Sequence, residues 1–140
     1  MILVSACLMG ENCKYSGSNN RNEDVISFLE DKEYLCVCPE VFGGLKIPRP
    51  PAEIIGERVV DQTGKDVTKE FHLGAEKTLS LAKEHDIDFC ILKANSPSCG
   101  FGTIYDGTFS GKKINGNGVT VDLLLKNGFK VVSEKNIKKD

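Results

Sequence analysis

Six cysteines in 140 residues are the side chains best suited to chemistry in this chain, and four of them fall just past apolar runs, close to glycine, proline or serine. Cys7 follows Ile2-Leu3-Val4-Ser5-Ala6, Cys38 follows Tyr34-Leu35-Cys36-Val37, and Cys99 lies in Ser96-Pro97-Ser98-Cys99-Gly100 beyond Phe89-Cys90-Ile91-Leu92-Lys93; Cys13 stands six residues past the first. If the three runs are strands of one sheet, they deliver thiols to a single edge. Thiolates are soft ligands, so a soft metal or a cluster is the chemistry this arrangement suggests. The spacing is not that of a zinc ribbon, which needs two Cys-x-x-Cys pairs, nor of a thioredoxin-like Cys-x-x-Cys or a Cys-x5-Arg phosphatase loop. Iron-sulfur clusters take thiolates from scattered positions; three leave one iron of a 4Fe-4S cluster open for a substrate, whereas four close it. Cys36 and Cys90 lie inside their runs and are assigned to the core, where free cysteine behaves as a small hydrophobe.

Other reactive side chains sit beside these thiols. Glu40 comes directly after Cys38-Pro39, and Ser96 and Ser98 flank Pro97. Arg49, between two prolines, either grips a substrate phosphate through its planar fork or pairs with Glu53. Lys14 and Lys93 are placed to offset negative charge near the thiols or are ordinary surface lysines. Tyr105 and Phe109 either stack on a ring or pack within a hairpin. His72 and His85 lie far from the cysteines in the chain and are read as core or surface residues of a helix.

The elements that must position these residues follow from periodicity. Apolar runs at positions 2–6, 34–38, 89–93 and 129–132 are short and apolar throughout, as suits strands of a parallel sheet covered on both faces. Between them, Asn22 to Asp31 reads as a helix with Asn22 as its cap and Glu23 and Asp24 in its first turn. A longer helix opens after Asp66 or Thr68 and runs to about His85, with Phe71, Ala75, Leu79 and Ala82 on its apolar stripe. A third covers Val119 to Lys126 and stops at Asn127-Gly128. The alternation predicts one α/β domain over 1–140, a small three-layer Rossmann-like sandwich with a mostly parallel sheet and long functional loops. Those loops are Pro39 to Arg58 and the glycine-rich Ala94 to Gly118, the second holding a small hairpin over Gly102 to Phe109. Asp61 to Lys65 reads as a tight turn between two short extended pieces. With strand one central, the thiols, Glu40 and the two serines converge where open α/β sheets bind ligands, outside the carboxyl ends of the strands.

In six blocks the chain resembles the thiouracil desulfidase family, once a domain of unknown function. They are Val4-Ser5-Ala6-Cys7-Leu8-Met9-Gly10, Cys13-Lys14-Tyr15-Ser16-Gly17, Cys38-Pro39-Glu40-Val41-Phe42-Gly43-Gly44-Leu45, Pro48-Arg49-Pro50-Pro51-Ala52-Glu53, Ser96-Pro97-Ser98-Cys99-Gly100 and Ile104-Tyr105-Asp106-Gly107-Thr108-Phe109-Ser110-Gly111. The resemblance implies a 4Fe-4S cluster on three cysteines and removal of sulfur, without redox change, from thiolated uracil compounds such as thiouracil and thiouridine monophosphate. It further implies Cys7 and Cys99 as ligands, Glu40 as the acid-base residue and Ser96 as its helper. Some relatives carry a cysteine where this chain has Gly43-Gly44, which leaves Cys13 or Cys38 as the third ligand, with Cys13 preferred. Ser98 and Arg49 are the candidate substrate contacts.

Composition narrows the alternatives. A formal net charge of -2, from 18 basic and 20 acidic residues, offers no polybasic surface for nucleic acid; only Lys135 to Lys139 is locally basic. No apolar stretch approaches a membrane span, and the chain opens on a strand-like run without a signal pattern. A cytoplasmic protein acting on a thiolated pyrimidine base or nucleotide, as a monomer or weak homodimer, is therefore expected; reduced clustered thiols in that compartment favour metal binding or chemistry over disulfides. The alternative is a non-catalytic metal or cluster carrier. The absence of Gly-x-Gly-x-x-Gly after strand one and of a P-loop weakens a nucleotide-binding module.

Overall fold

The computed structural model describes residues 1–137. In chain order it contains β1 (Ile2–Ser5), a 3-10 turn (Ala6–Met9), α1 (Glu23–Leu29), β2 (Tyr34–Val37), α2 (Pro39–Phe42), β3 (Ala52–Ile55) and β4 (Arg58–Asp61). There follow α3 (Thr68–Glu84), β5 (Phe89–Leu92), β6 (Thr103–Tyr105), β7 (Lys113–Asn115), α4 (Val119–Lys126), β8 (Val131–Ser133) and a closing 3-10 turn (Glu134–Asn136).

The four apolar runs form one all-parallel sheet of order β2-β1-β5-β8. Because β1 lies between two partners and under helices on both faces, all four of its residues are buried. Side-chain alternation then divides the core. Leu3, Val37, Cys90 and Leu92 meet Ala82 of α3 and Val121 and Leu124 of α4 on one face. Ile2, Val4 and Ile91 meet Val25 and Leu29 of α1 on the other. Helix, sheet and helix pair make the three expected layers. A Leu3→Ala change in such a core costs about 2–5 kcal/mol.

The helix signals hold locally. Asn22 caps α1, its side chain accepting from the Val25 N–H at 3.1 Å. In α3 the buried stripe is Phe71, Gly74, Ala75, Thr78 and Ala82, with Leu79 half-buried beside it. Past α4, Gly128 takes φ 85, the left-handed conformation that ends the helix.

Other expectations change. The connection from Pro39 to Arg58 is not loop throughout: Pro39 opens the short α2, and Ala52–Ile55 pairs antiparallel with Arg58–Asp61. A four-residue helix shows no period, and β3 is only half-buried, so neither announces itself. Around the Asp61–Lys65 turn only β4 is a strand; the far side is a single bridge from Val60 to Asp66. The second hairpin is longer than Gly102 to Phe109. Its return strand is β7, three residues long and all exposed, too short to mark a period, while Phe109 lies in the connecting loop. The fourth apolar run becomes a strand at Val131–Ser133, not 129–132. Of the basic end, Lys138 and Lys139 lie outside the described residues. Among the described residues no helix is long and apolar enough to cross a membrane.

Candidate functional site

β1 and β5 are neighbours, with β2 beyond one and β8 beyond the other, so strand order reverses between them. In an open α/β sheet that reversal opens a crevice at the strands' carboxyl ends. A cavity of about 500 Å³ lies there, within the ~300–1,000 Å³ common for small-molecule sites. Cys7 reaches it from the turn after β1, and Cys13 from further along the same connection. Cys38 comes from the junction of β2 with α2, and Cys99 from the loop after β5. Glu40, Arg49, Ser96 and Ser98 line it too, so all eight residues singled out by sequence share one cavity.

The two remaining cysteines lie elsewhere. Cys90 is fully buried beneath α3 and α4, and Cys36 packs against the α1 face. His72 is exposed on α3 and His85 follows its end, both away from the cavity. Lys14 and Lys93 border it; Lys93 Nζ pairs with Glu134 at 3.0 Å. Tyr105 and Phe109 line it from the β6–β7 hairpin.

The thiols differ in environment. All six cysteines are free. Burial raises the Cys7 thiol, opposed by an N–H from Asn20 at 3.4 Å from its sulfur. Burial drives Cys99 up to about 12, opposed by hydrogen bonds with Ser5 and Ser98. The Cys38 thiol donates to the Cys13 carbonyl oxygen at 3.7 Å. The neighbouring Cys13 side chain, with the Val41 N–H and Arg49, holds Cys38 below the ordinary thiol range against its burial, and Cys38 in turn raises Cys13. Among the described residues no three His, Cys, Asp or Glu side chains converge as one metal ion requires. Free thiols spaced around a cavity instead fit a polynuclear iron-sulfur group, which takes thiolates from scattered positions.

Glu40 is held on both sides. One carboxylate oxygen accepts Arg49 Nε at 3.0 Å; the other accepts the Ser98 hydroxyl at 3.0 Å. Arg49 does not pair with Glu53. Its Nη2 donates to the Cys13 carbonyl at 2.9 Å and its Nη1 to the Lys46 carbonyl at 3.2 Å, and its side chain is only 6% exposed. The fork faces protein groups more than open space. Ser98, not Ser96, touches Glu40. The Ser96 oxygen accepts the N–H groups of Ser98 and Cys99 at 3.1 and 3.0 Å, and its hydroxyl lies 2.9 Å from that of Ser98. With the Ser98 proton turned to Glu40, the chain of donors runs Ser96 to Ser98 to Glu40.

Sequence reasoning passed over Ser5 and Asn20, and weighed Glu53 only as a partner for Arg49. Ser5 is the one hydroxyl within β1, is 2% exposed, and accepts the Lys93 N–H at 3.0 Å. A serine inside a buried run is a readable signal, since its hydroxyl must find a partner. Asn20 sits in a polar stretch, Ser16 to Asn22, where nothing distinguishes it.

Fold and cavity define a small parallel α/β protein whose switch-point crevice gathers four free thiols around one anchored carboxylate. The chain belongs to the 2-thiouracil desulfurase family, whose model matches residues 2–136. It is 48% identical over 147 aligned positions to the Bacillus subtilis (strain 168) protein YbbK, covering 98% of this chain and 97% of that one. Its structure is similar to that of TudS, a [4Fe-4S]-dependent thiouracil desulfidase, with a TM-score of 0.90, 45% identity, and coverage of 97% of this chain and 91% of that one.

Proposed function

We propose that this protein removes sulfur from thiolated uracil compounds, thiouracil and thiouridine monophosphate among them, by hydrolysis at a 4Fe-4S cluster. Cys7, Cys99 and one of the pair Cys13 and Cys38 would hold the cluster. The observation that carries this reading is the meeting in one cavity of four free thiols and a carboxylate fixed by Arg49 and Ser98. Family membership and the likeness to an iron-sulfur desulfidase support it.

When bound through three thiolates, the cluster supplies a Lewis-acidic iron with an open position for the thiocarbonyl sulfur. The protein's own residues manage the proton. Glu40 takes one from the water that adds to the ring carbon and returns it to the departing sulfur. Ser98 orients the carboxylate, and Ser96 stands behind Ser98. Carbon exchanges a C=S bond for C=O, water is consumed, hydrogen sulfide leaves, and no oxidation state changes. No nicotinamide or flavin enters that balance.

The test is anaerobic purification, reconstitution with iron and sulfide, and assay of sulfide release from 2-thiouracil and thiouridine monophosphate. Expected are a visible iron-sulfur charge-transfer band and turnover. Glu40→Gln should keep the band and lose turnover by about 100-fold or more, the usual contribution of a general acid-base group. A cluster without turnover on any thiopyrimidine would favour the carrier, and no cluster at all would remove both readings.

A further inference from the structure

One wall of the cavity comes from a segment that carries neither thiol nor acid-base group. Between β6 and β7 the chain turns so that Tyr105, Phe109 and Gly111 line the cavity. Phe109 has φ 55, a left-handed backbone conformation that is strained for a bulky residue. One carboxylate oxygen holds it there: Glu53 Oε1 accepts the N–H of Gly107 at 2.9 Å and that of Phe109 at 3.2 Å. Gly107, at φ 93, lies so close to β3 that a Cβ would stand 2.7 Å from Ile55 Cγ1 and 2.9 Å from the Ile54 carbonyl oxygen. On its other flank the hairpin is tied to the loop after β5 by a bridge from Asn95 to Ile104.

Core packing does not account for this arrangement. Phe109 is half-buried and belongs to none of the three apolar clusters among the described residues. A large aromatic ring outside the core, on a strained backbone fixed by a dedicated carboxylate, on the wall of a ligand-sized cavity, is placed for contact with a ligand.

We infer that Phe109, posed by Glu53, recognises the ring of the substrate, giving an aromatic face to a planar heterocycle and so deciding which thiocarbonyl compounds are taken. This rests on the thiopyrimidine reading above and adds the residue that reads the ring. Glu53 is a positioning residue. It lines the cavity as well, and its assigned part is to act through the Phe109 backbone.

The test uses the reconstituted enzyme, with KM and kcat for 2-thiouracil and the Kd of uracil, the oxygen-containing product, by calorimetry. Phe109→Ala should raise KM and Kd together by about tenfold, as loss of a base-stacking aromatic does, the loss falling on KM more than on kcat. Phe109→Tyr should bind like the parent, and Phe109→Leu, which keeps apolar bulk without a ring face, should bind like the alanine variant. Glu53→Ala should reproduce the loss. Glu53→Gln should restore binding, because its amide oxygen still accepts both N–H groups. Phe109→Ala with Glu53→Ala should be no worse than either alone. The charge-transfer band and melting temperature, recorded for each variant, should stay at the parent's values for the Phe109 series. Parental KM and Kd in Phe109→Ala, with a turning-over parent, overturn this inference and leave the desulfidase reading standing. A parent that neither binds uracil nor releases sulfide overturns both. Additive losses in the double variant overturn the role of Glu53. Should Glu53→Ala fail to fold, Phe109→Leu decides the point, retained affinity overturning the inference and lost affinity supporting it.

Discussion

Arg49 shows how one side chain can serve the reactive group and its surroundings together. Its guanidinium joins Glu40, the Cys13 carbonyl and the Lys46 carbonyl, with 6% of its own side chain and 16% of that of Glu40 exposed. Removing one partner of a pair buried this far leaves the other charge uncompensated, at a cost of about 3–5 kcal/mol. Arg49→Met should therefore lose about 3 kcal/mol in equilibrium denaturation, toward the low end of that range because Glu40 keeps some access to water. Arg49→Lys should fall between, since an ammonium keeps the charge without the fork. Adding Glu40→Gln to Arg49→Met should recover part of the loss, and a double variant weaker than the single one would refute the argument. Sequence made Glu40 and the thiols readable because Cys-Pro-Glu and Ser-Pro-Ser-Cys place them at strand ends. The partner of Arg49 was not readable. Glu53 is the nearest following acid, four positions on, whereas the chain folds back through α2 to bring Glu40 from nine positions before. Which serine meets Glu40 is likewise a matter of how one turn is oriented, which residue type cannot decide.

At the scale of elements, the placement of Glu40 depends on two glycines. A Cβ at Gly74 of α3 would stand 1.8 Å from the Pro39 carbonyl oxygen, and one at Gly43 would stand 1.9 Å from the Glu70 carbonyl oxygen. α2, which carries Glu40, thus lies backbone to backbone on α3. Helix propensity alone would make Gly74→Ala stabilising by about 1 kcal/mol. The backbone oxygen leaves no room for the methyl, so α2 has to move. Gly74→Ala should lower the melting temperature and sulfide release together as Glu40 leaves Ser98; a melting temperature at or above the parent's would contradict this packing. The long helices were legible because α3 offers 17 residues and α4 eight over which a stripe repeats. The short α2 and half-buried β3 were not, and β7 exposes all three of its residues, so hydropathy marks nothing there.

For the whole molecule, the parallel sheet was readable from alternating apolar runs and right-handed crossovers, whereas the central place of β1 was only supposed and comes from the observed order β2-β1-β5-β8. The thiols that the sheet encloses also give it an alkaline limit. Cys90 is fully buried between β1 and β8, and burial lifts it from the ordinary 9.0 to about 12. The folded chain then keeps a proton that the unfolded chain gives up, so this contribution to stability is complete below pH 9 and is lost as pH rises toward 12. The urea midpoint of the metal-free protein should fall across that window, and Cys90→Ala should flatten the fall even though it lowers the starting value. An unchanged slope would show that Cys90 does not titrate with unfolding. The cavity draws its thiols from loops of the four-stranded parallel sheet and its aromatic wall from a separate two-stranded one, joined to its neighbours by the Glu53 contacts and the Asn95 bridge. On the role inferred for Phe109, a graft of residues 103–115 from a relative should shift which compound is bound, while the four cysteines, which lie outside those residues, stay in place.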